Sequence, residues 1–441
     1  MKDILKLLWV VAAIVLVAPT TTLDLQTLFD DANAPAGAGE GASHPMPAAA
    51  ANQEQAPTPP PPLEYNLCPG QSTSFTFQIY LPPAPVQADI LLAFDTTGSM
   101  DSVIHTAQER AVDIMSNLQT LISDAWFGLV DFRDYPLDPY GLSTDWPYRL
   151  RQPLINHISY VQMKIEELEG DGGVDGPEAY SRALYEAYAD EHIGWRPEAR
   201  RFIIMFGDSV PHDDDLNAGV TAPQPHRPYE AWQTGYPPAY IDPGRDTENG
   251  TEDDLDFQTV LGGLRDRSIT LLFVVSDAKL EGLTIDELLA YWRIWAAMTG
   301  PGGDAKALED LEDLPATIQS LVTAAVRHID QLGVVAAPSW FDEWITVNPP
   351  TYEGLDIPPA GLNRRFDVTV TVPMNVPANQ YRFDLVALGD GTVYQRQRVE
   401  ITVTEGCFPT PTPTWAPAPT PRPRWLLYVP FLANNHVNWQ P

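Results

Sequence analysis

At 441 residues, with 44% hydrophobic content, the chain is long enough for two or three domains and can fill more than one core. Its 59 acidic against 26 basic side chains give a formal net charge of -33, which excludes electrostatic binding to nucleic acid or to an anionic membrane surface. Such a surface keeps a protein soluble and draws divalent cations, and most of its carboxylates do nothing more.

Residues 1–30 read as an export signal or anchor, with Lys2 and Lys6 followed by the apolar run Leu7 to Ala18. That run is short for a membrane span, yet Pro19 spoils a small-x-small cleavage site, so an uncleaved anchor stays open. Residues 31–63 are rich in Ala, Pro, Gly and Gln, end in Pro57 to Pro62, and hold nothing that builds a core. Ser74 to Ile79 alternates apolar and polar residues, as an antiparallel strand does.

Asp89 to Phe94 is a mostly apolar strand that ends in Asp95-Thr96-Thr97-Gly98-Ser99-Met100. An Asp-x-Thr-x-Ser loop between a strand and a helix N-terminus gathers one carboxylate and two hydroxyls where an open α/β sheet binds ligands. The donors are hard oxygens, which suit Mg2+ or Ca2+ rather than zinc.

Ser102 to Ser123 then repeats apolar residues at helical spacing, and Ala125 to Phe132 reads as a second strand. Helical patterns cover 155–168 and 177–192, the second opened by Pro177. Phe202 to Phe206 and Thr270 to Val275 are continuous apolar runs, expected of parallel strands buried on both faces. Thr284 with Glu287 spells a capping box for a helix to about Ala297, and a last helix runs over 316–329. The expectation is a doubly wound α/β domain at 86–332.

Phe366 to Val372, Tyr381 to Ala387 and Val399 to Val403 alternate with period two. With the strand near Ser74 they predict a small antiparallel β-sandwich, split into 64–85 and 333–407, into which the mostly parallel α/β sheet is inserted. Residues 408–424 form a Pro/Thr stalk and 425–441 a short apolar tail, a weak attachment signal. Cys68 and Cys407 stand at the two edges of the folded part. In an exported protein they are able to pair, which would lay the first and last strands side by side.

These residues resemble the von Willebrand factor type A domain, in the variety found in integrin β subunits and related bacterial surface proteins. The resemblance is carried by Asp95-x-Thr97-x-Ser99, by Asp175-Gly176-Pro177-Glu178, by Gly207-Asp208 after its apolar strand, and by Cys68-Pro69-Gly70 with the strand that follows. It implies that Asp95, Thr97, Ser99, Glu178 and Asp208 hold Mg2+ or Mn2+, directly or through water. One coordination position is then left for the exposed acidic side chain of a protein partner. Integrin β subunits hold an adjacent calcium after the Met of the first loop, where here only Asp101 can help. A companion Ca2+ site can draw on Asp134, Asp175 and Glu178, with Gly173 where integrin β has Asn. Asp134, Asp175 and Asp101 are thus the candidates for a second metal.

The turn-rich stretch Asp242 to Asp254 offers Asp242, Asp246, Asp253 and Asp254 as a calcium loop, or is a solvated loop capping the helix near Leu255. His212 reads as a polar loop residue, because no cysteine or paired histidine stands near it in sequence. No Gly-x-Ser-x-Gly elbow, His-Glu-x-x-His or Walker loop occurs, so the expectation is binding and not catalysis. The expected protein is secreted or on the cell surface by bacterial export, touches membrane only through an N-terminal anchor, and binds a protein through its metal. Two rivals remain at this point: an assembly module in which metal only stabilises the fold, and a metal-assisted hydrolase.

Overall fold

The computed structural model describes residues 60–213, 216, 241–277 and 283–404. The export segment, residues 31–59 of the linker, Cys407, the stalk and the tail lie outside the described residues. In chain order the main elements are β1 (Leu63–Leu67), β2 (Ser72–Leu81), β3 (Gln87–Asp95), α1 (Asp101–Leu121), β4 (Asp124–Phe132), β5 (Arg149–Ile155), α2 (Ile158–Ile165), α3 (Tyr180–Ala189) and β6 (Arg200–Gly207). There follow α4 (Phe257–Arg265), β7 (Ile269–Val275), α5 (Ile285–Ala297), β8 (Asp304–Ala307), α6 (Leu314–Val326), β9 (His328–Ala337), β10 (Ile345–Asn348), β11 (Thr351–Asp356), β12 (Leu362–Thr371), β13 (Asn379–Gly389) and β14 (Thr392–Val403). None of the described helices is long and apolar enough to cross a membrane.

The central sheet has the order β5-β4-β3-β6-β7-β8, with every pair parallel except β4 and β5. Residues of β3 and β7 are buried almost without a break, since helices cover both faces. On one face α1, α2 and α6 pack against Ile90, Leu92 and Phe94 of β3; on the other α3, α4 and α5 pack against Leu91 and Ala93. The fold is a doubly wound α/β sheet. Because β3 lies between β4 and β6 and its following helix takes the opposite face from α4, a crevice opens at the carboxyl ends of β3 and β6.

Local signals account for most boundaries. Thr284 and Glu287 form the reciprocal capping box at the start of α5. The helical pattern over 155–168 is shorter than the periodicity predicts, because β5 occupies 149–155. That strand is a sheet edge: Arg149 and Arg151 both grip the buried carboxylate of Asp131 on β4, Nη2 and Nε reaching it at 2.8 Å. Charged residues and Pro153 are what an edge strand tolerates, and they hide its period.

The flanking strands form a five-stranded sheet, β1-β14-β13-β9-β11, and a three-stranded sheet, β10-β12-β2. Phe77, Ile79, Val368, Val370, Leu385, Val399 and Ile401 fill the core of this sandwich. It departs from a purely antiparallel plan in one pair: β1 and β14 run parallel, Leu63 beside Val399 and Leu67 beside Val403. Cys68, next after β1, is disulfide-bonded.

The α/β sheet meets the sandwich through a buried ion pair. Arg200, at the start of β6 and 2% exposed, sends Nη1 to Asp390 Oδ2 at 3.0 Å and Nη2 to the Pro301 carbonyl at 2.9 Å. Asp390, in the turn between β13 and β14, also accepts the amides of Asp330 and Gln331 at 3.0 and 2.9 Å.

Candidate metal centre

Asp95 ends β3 fully buried, and the loop that follows folds back on its carboxylate. Thr97 donates to Asp95 Oδ1 from its amide at 2.9 Å and its hydroxyl at 2.7 Å, and the Thr97 and Ser99 hydroxyls lie 3.3 Å apart. The three oxygen-bearing side chains therefore converge, as their spacing predicts. On the other carboxylate oxygen, the Tyr180 hydroxyl donates to Asp95 Oδ2 at 2.6 Å and accepts from the Asp208 amide at 3.2 Å. Gly207 allows this approach, for a Cβ there would lie 2.1 Å from the Tyr180 hydroxyl oxygen.

Glu178 enters from the loop before α3, tied to the segment after β6 by its amide on the Val210 carbonyl at 3.0 Å. Its carboxylate is buried, and Oε2 has no hydrogen-bond partner. Burial, then the charges of Asp95, Asp134, Asp175 and Asp208, hold its acid well above the ordinary range. Burial likewise pushes Asp95 up to about 6, against the hydrogen bonds of Tyr180 and Thr97 that lower it, with Asp134 adding to the rise. Buried carboxylates that raise one another's pKa are a site short of positive charge, and a divalent cation among hard oxygens supplies it. The donors present fit such an ion. Gly173, at φ +71°, lies against this centre: a Cβ there would stand 3.0 Å from both Glu178 Oε1 and Thr97 Cγ2.

A second group sits beside it. Asp134, just beyond β4, Asp175, before α3, and His212, beyond β6, each present one ligand atom, and these atoms all lie within 4.8 Å of one another. His212 Nε2 is 2.9 Å from Asp134 Oδ1, and both side chains are fully buried. Asp134 and Asp175 are each pushed up to about 8 by burial. The structure thus joins Asp134 and Asp175 to His212 and not to Asp101, which is exposed on the first turn of α1 with His105 3.8 Å away.

The acidic loop turns its carboxylates onto itself. Asp253 Oδ2 accepts the amides of Arg245 and Asp246 at 2.7 and 3.0 Å, Asp254 Oδ2 accepts that of Gly250 at 2.7 Å, and Asp246 Oδ1 that of Glu248 at 2.8 Å. Asp242 instead points inward, fully buried, and accepts the Tyr135 hydroxyl.

No family model matches the chain. Over 230 residues, 49% of its length, it is 25% identical to integrin beta-4 of Mus musculus, and over 185 residues, 36% of its length, it is 23% identical to integrin beta-5 of Mus musculus. These matches support the resemblance to a von Willebrand factor type A domain of the integrin I-like kind. The matches span 12% and 23% of those two relatives' own lengths. Among solved structures, a von Willebrand factor type A protein from Catenulispora acidiphila overlaps at TM-score 0.34 and 15% identity, covering 77% of this chain and 75% of that one. The pilus adhesin SpaC from Lactobacillus rhamnosus GG, in its open conformation, overlaps at TM-score 0.37 and 10% identity, covering 76% and 45%.

Two residues that the structure brings to these carboxylates carry no sequence signal of their own. Tyr180 stands two positions after Glu178, and no motif around it points to Asp95. His212 meets Asp134 only where the segments beyond β4 and β6 come together.

Proposed function

We propose that the I-like domain holds Mg2+, or Mn2+, through Asp95, Thr97, Ser99, Glu178 and Asp208, and captures a protein partner by an exposed carboxylate. The reading is carried by one observation: the Asp95, Thr97 and Ser99 oxygens converge in the crevice beside the buried, unpartnered Glu178 Oε2. Thr97 and Tyr180 orient Asp95, and the backbone link from Glu178 to Val210 sets the glutamate across from it. Bound there, the ion offers a coordination position that a partner's carboxylate completes.

The surface fits a secreted or cell-surface setting, as the relatives named integrins and adhesin do, and no enzymatic role is assigned. Calorimetric titration of Mg2+ and Mn2+ into the EDTA-stripped full chain, beside Asp95→Ala, tests the reading. Binding lost in the variant supports it; equal binding in both proteins overturns it. A partner captured equally by both would favour an assembly role instead.

A further inference from the structure

Among the described residues the three sheets end in β1 and β11, in β10 and β2, and in β5 and β8. A free strand edge is a template for pairing with another chain, and proteins blunt it with short length, charge, proline or a bulge. All but one of these edges are blunted. β1 has five residues with Glu64 among them, β8 has four with Asp304 and Lys306, and β10 has four and is followed by Pro349. β11 holds Glu353, Gly354 and Asp356, and β5 holds Arg149, Arg151 and Pro153. β2 is the exception. Its ten residues, Ser72 to Leu81, include no charge, proline or glycine, and its register against β12 is unbroken from Ser72 beside Thr371 to Leu81 beside Leu362.

The backbone shows which residues face outward. Val372 donates to the Gln71 carbonyl at 3.0 Å, so Gln71 faces β12, and bonding alternates from there along an antiparallel pair. Ser72, Ser74, Thr76, Gln78 and Tyr80 therefore turn their peptide groups to the free edge. The Gln395 side chain meets the Gln78 carbonyl there at 3.1 Å, which closes the edge toward that end and leaves Ser72 to Thr76 open. The side chains of this stretch already pair across strands: the Ser72 and Thr371 hydroxyls, and those of Ser74 and Thr369, lie 2.8 Å apart.

We propose that β2 is an association edge, at which a second copy of this chain adds its own β2 antiparallel about a two-fold axis and joins the two three-stranded sheets into one. The strand is self-complementary. Turned about an axis near Ser74, it sets serine and threonine beside serine and threonine, with no charge opposite a like charge. Charge selects this edge as well. At a formal -33 each, two copies repel wherever their carboxylates meet, and an uncharged strand is where they approach at least cost. On the same face of β12, Arg365 and Asp367 pair with each other at 3.4 Å. Strand pairing alone buries less than the roughly 1,200–2,000 Å2 of a stable interface, so the dimer is weak and reversible.

This association needs no metal, and measuring it in EDTA keeps it apart from the adhesion reading. Sedimentation velocity of the full chain over roughly 0.05–1 M NaCl should show a monomer–dimer equilibrium that moves toward dimer as salt screens the repulsion. Ser74→Lys puts a charge in the open part of the edge. It should abolish the dimer at every salt concentration and leave the urea midpoint in place. In the unaltered protein, amide exchange at Ser74 and Thr76 should slow as protein concentration rises, and this measurement decides alone if the variant unfolds. A monomer throughout, a dimer that survives Ser74→Lys, or exchange at Ser74 and Thr76 independent of concentration would overturn the proposal.

Discussion

The Tyr180 hydroxyl donates to Asp95 Oδ2 at 2.6 Å across 85 positions of sequence. It also accepts the Asp208 amide, so one phenol ties together the ends of β3 and β6 at the point where the sheet opens. Its ring is wedged edge-on against Phe132 and Trp292, at centroid distances of 5.0 and 5.3 Å. Tyr180→Phe keeps that packing and deletes the tie. The metal-free protein should lose about 1.5–3 kcal/mol, the worth of a hydrogen bond to a charged group, read from urea unfolding in EDTA. Mg2+ affinity should fall by roughly 10–100-fold, as when an outer-shell partner is removed. Unchanged affinity would show that Asp95 needs no such support.

The pH dependence has a definite sign. Asp95 is raised from 3.8 to about 6, and Asp134 and Asp175 from 3.8 to about 8, so between these values the folded chain binds protons that the unfolded chain has released. Their contribution to stability is present in full below pH 4 and drains away as pH rises toward 8. In EDTA the melting temperature should therefore decline from pH 5 to pH 8. Saturating divalent metal should flatten the decline, because the ion takes the place of the protons. A melting curve in EDTA that is level or rising over that range would contradict the assigned burial of these acids.

Asp390→Asn tests the junction between sheet and sandwich. The variant retains a residue tolerant of the positive φ of 48° found there but removes the charge facing Arg200. An arginine left buried without its partner costs about 3–5 kcal/mol. The urea midpoint should drop accordingly, with metal binding at the crevice unaltered.

The Asp242 to Asp254 loop is expected to act as scaffolding. Asp253 accepts two backbone amides and the Thr251 hydroxyl, the last at 2.8 Å, and these bonds hold its acid at about 2. Asp253→Ala should loosen the loop, seen as faster amide hydrogen exchange at Arg245 and Asp246, and leave Ca2+ stoichiometry unchanged. A lost calcium equivalent would restore the loop to the metal-binding residues.

The parts of this fold legible in the sequence are those whose signal is local. Continuous apolar runs mark β3, β6 and β7, because strands covered on both faces carry no polar alternation. Thr284 and Glu287 announce α5 by chemistry confined to four residues. The Asp95, Thr97 and Ser99 donors are readable for the same reason, sharing one turn. What escapes notice depends on distant neighbours. β5 is stabilised by Asp131 of the adjacent strand, so its arginines look like loop residues. β8 has four residues, too few for a period. His212 meets Asp134 across 78 positions, and nothing in the residues around it distinguishes a buried partner of a carboxylate from a solvated histidine.

The parallel pairing of β1 with β14 sets how the sandwich bears load. Leu63, where β1 begins, and Val403, where β14 ends, lie at opposite ends of the paired ladder, whose register runs from Leu63 beside Val399 to Leu67 beside Val403. Force applied at Leu63 and at Val403 themselves draws the two strands along their length in opposite senses, so the ladder is sheared as a unit and cannot be peeled one bond at a time, with the disulfide at Cys68 a covalent tie just beyond β1. Tension entering on one side of the sandwich can thus leave on the other without passing through the crevice where the metal ligands sit.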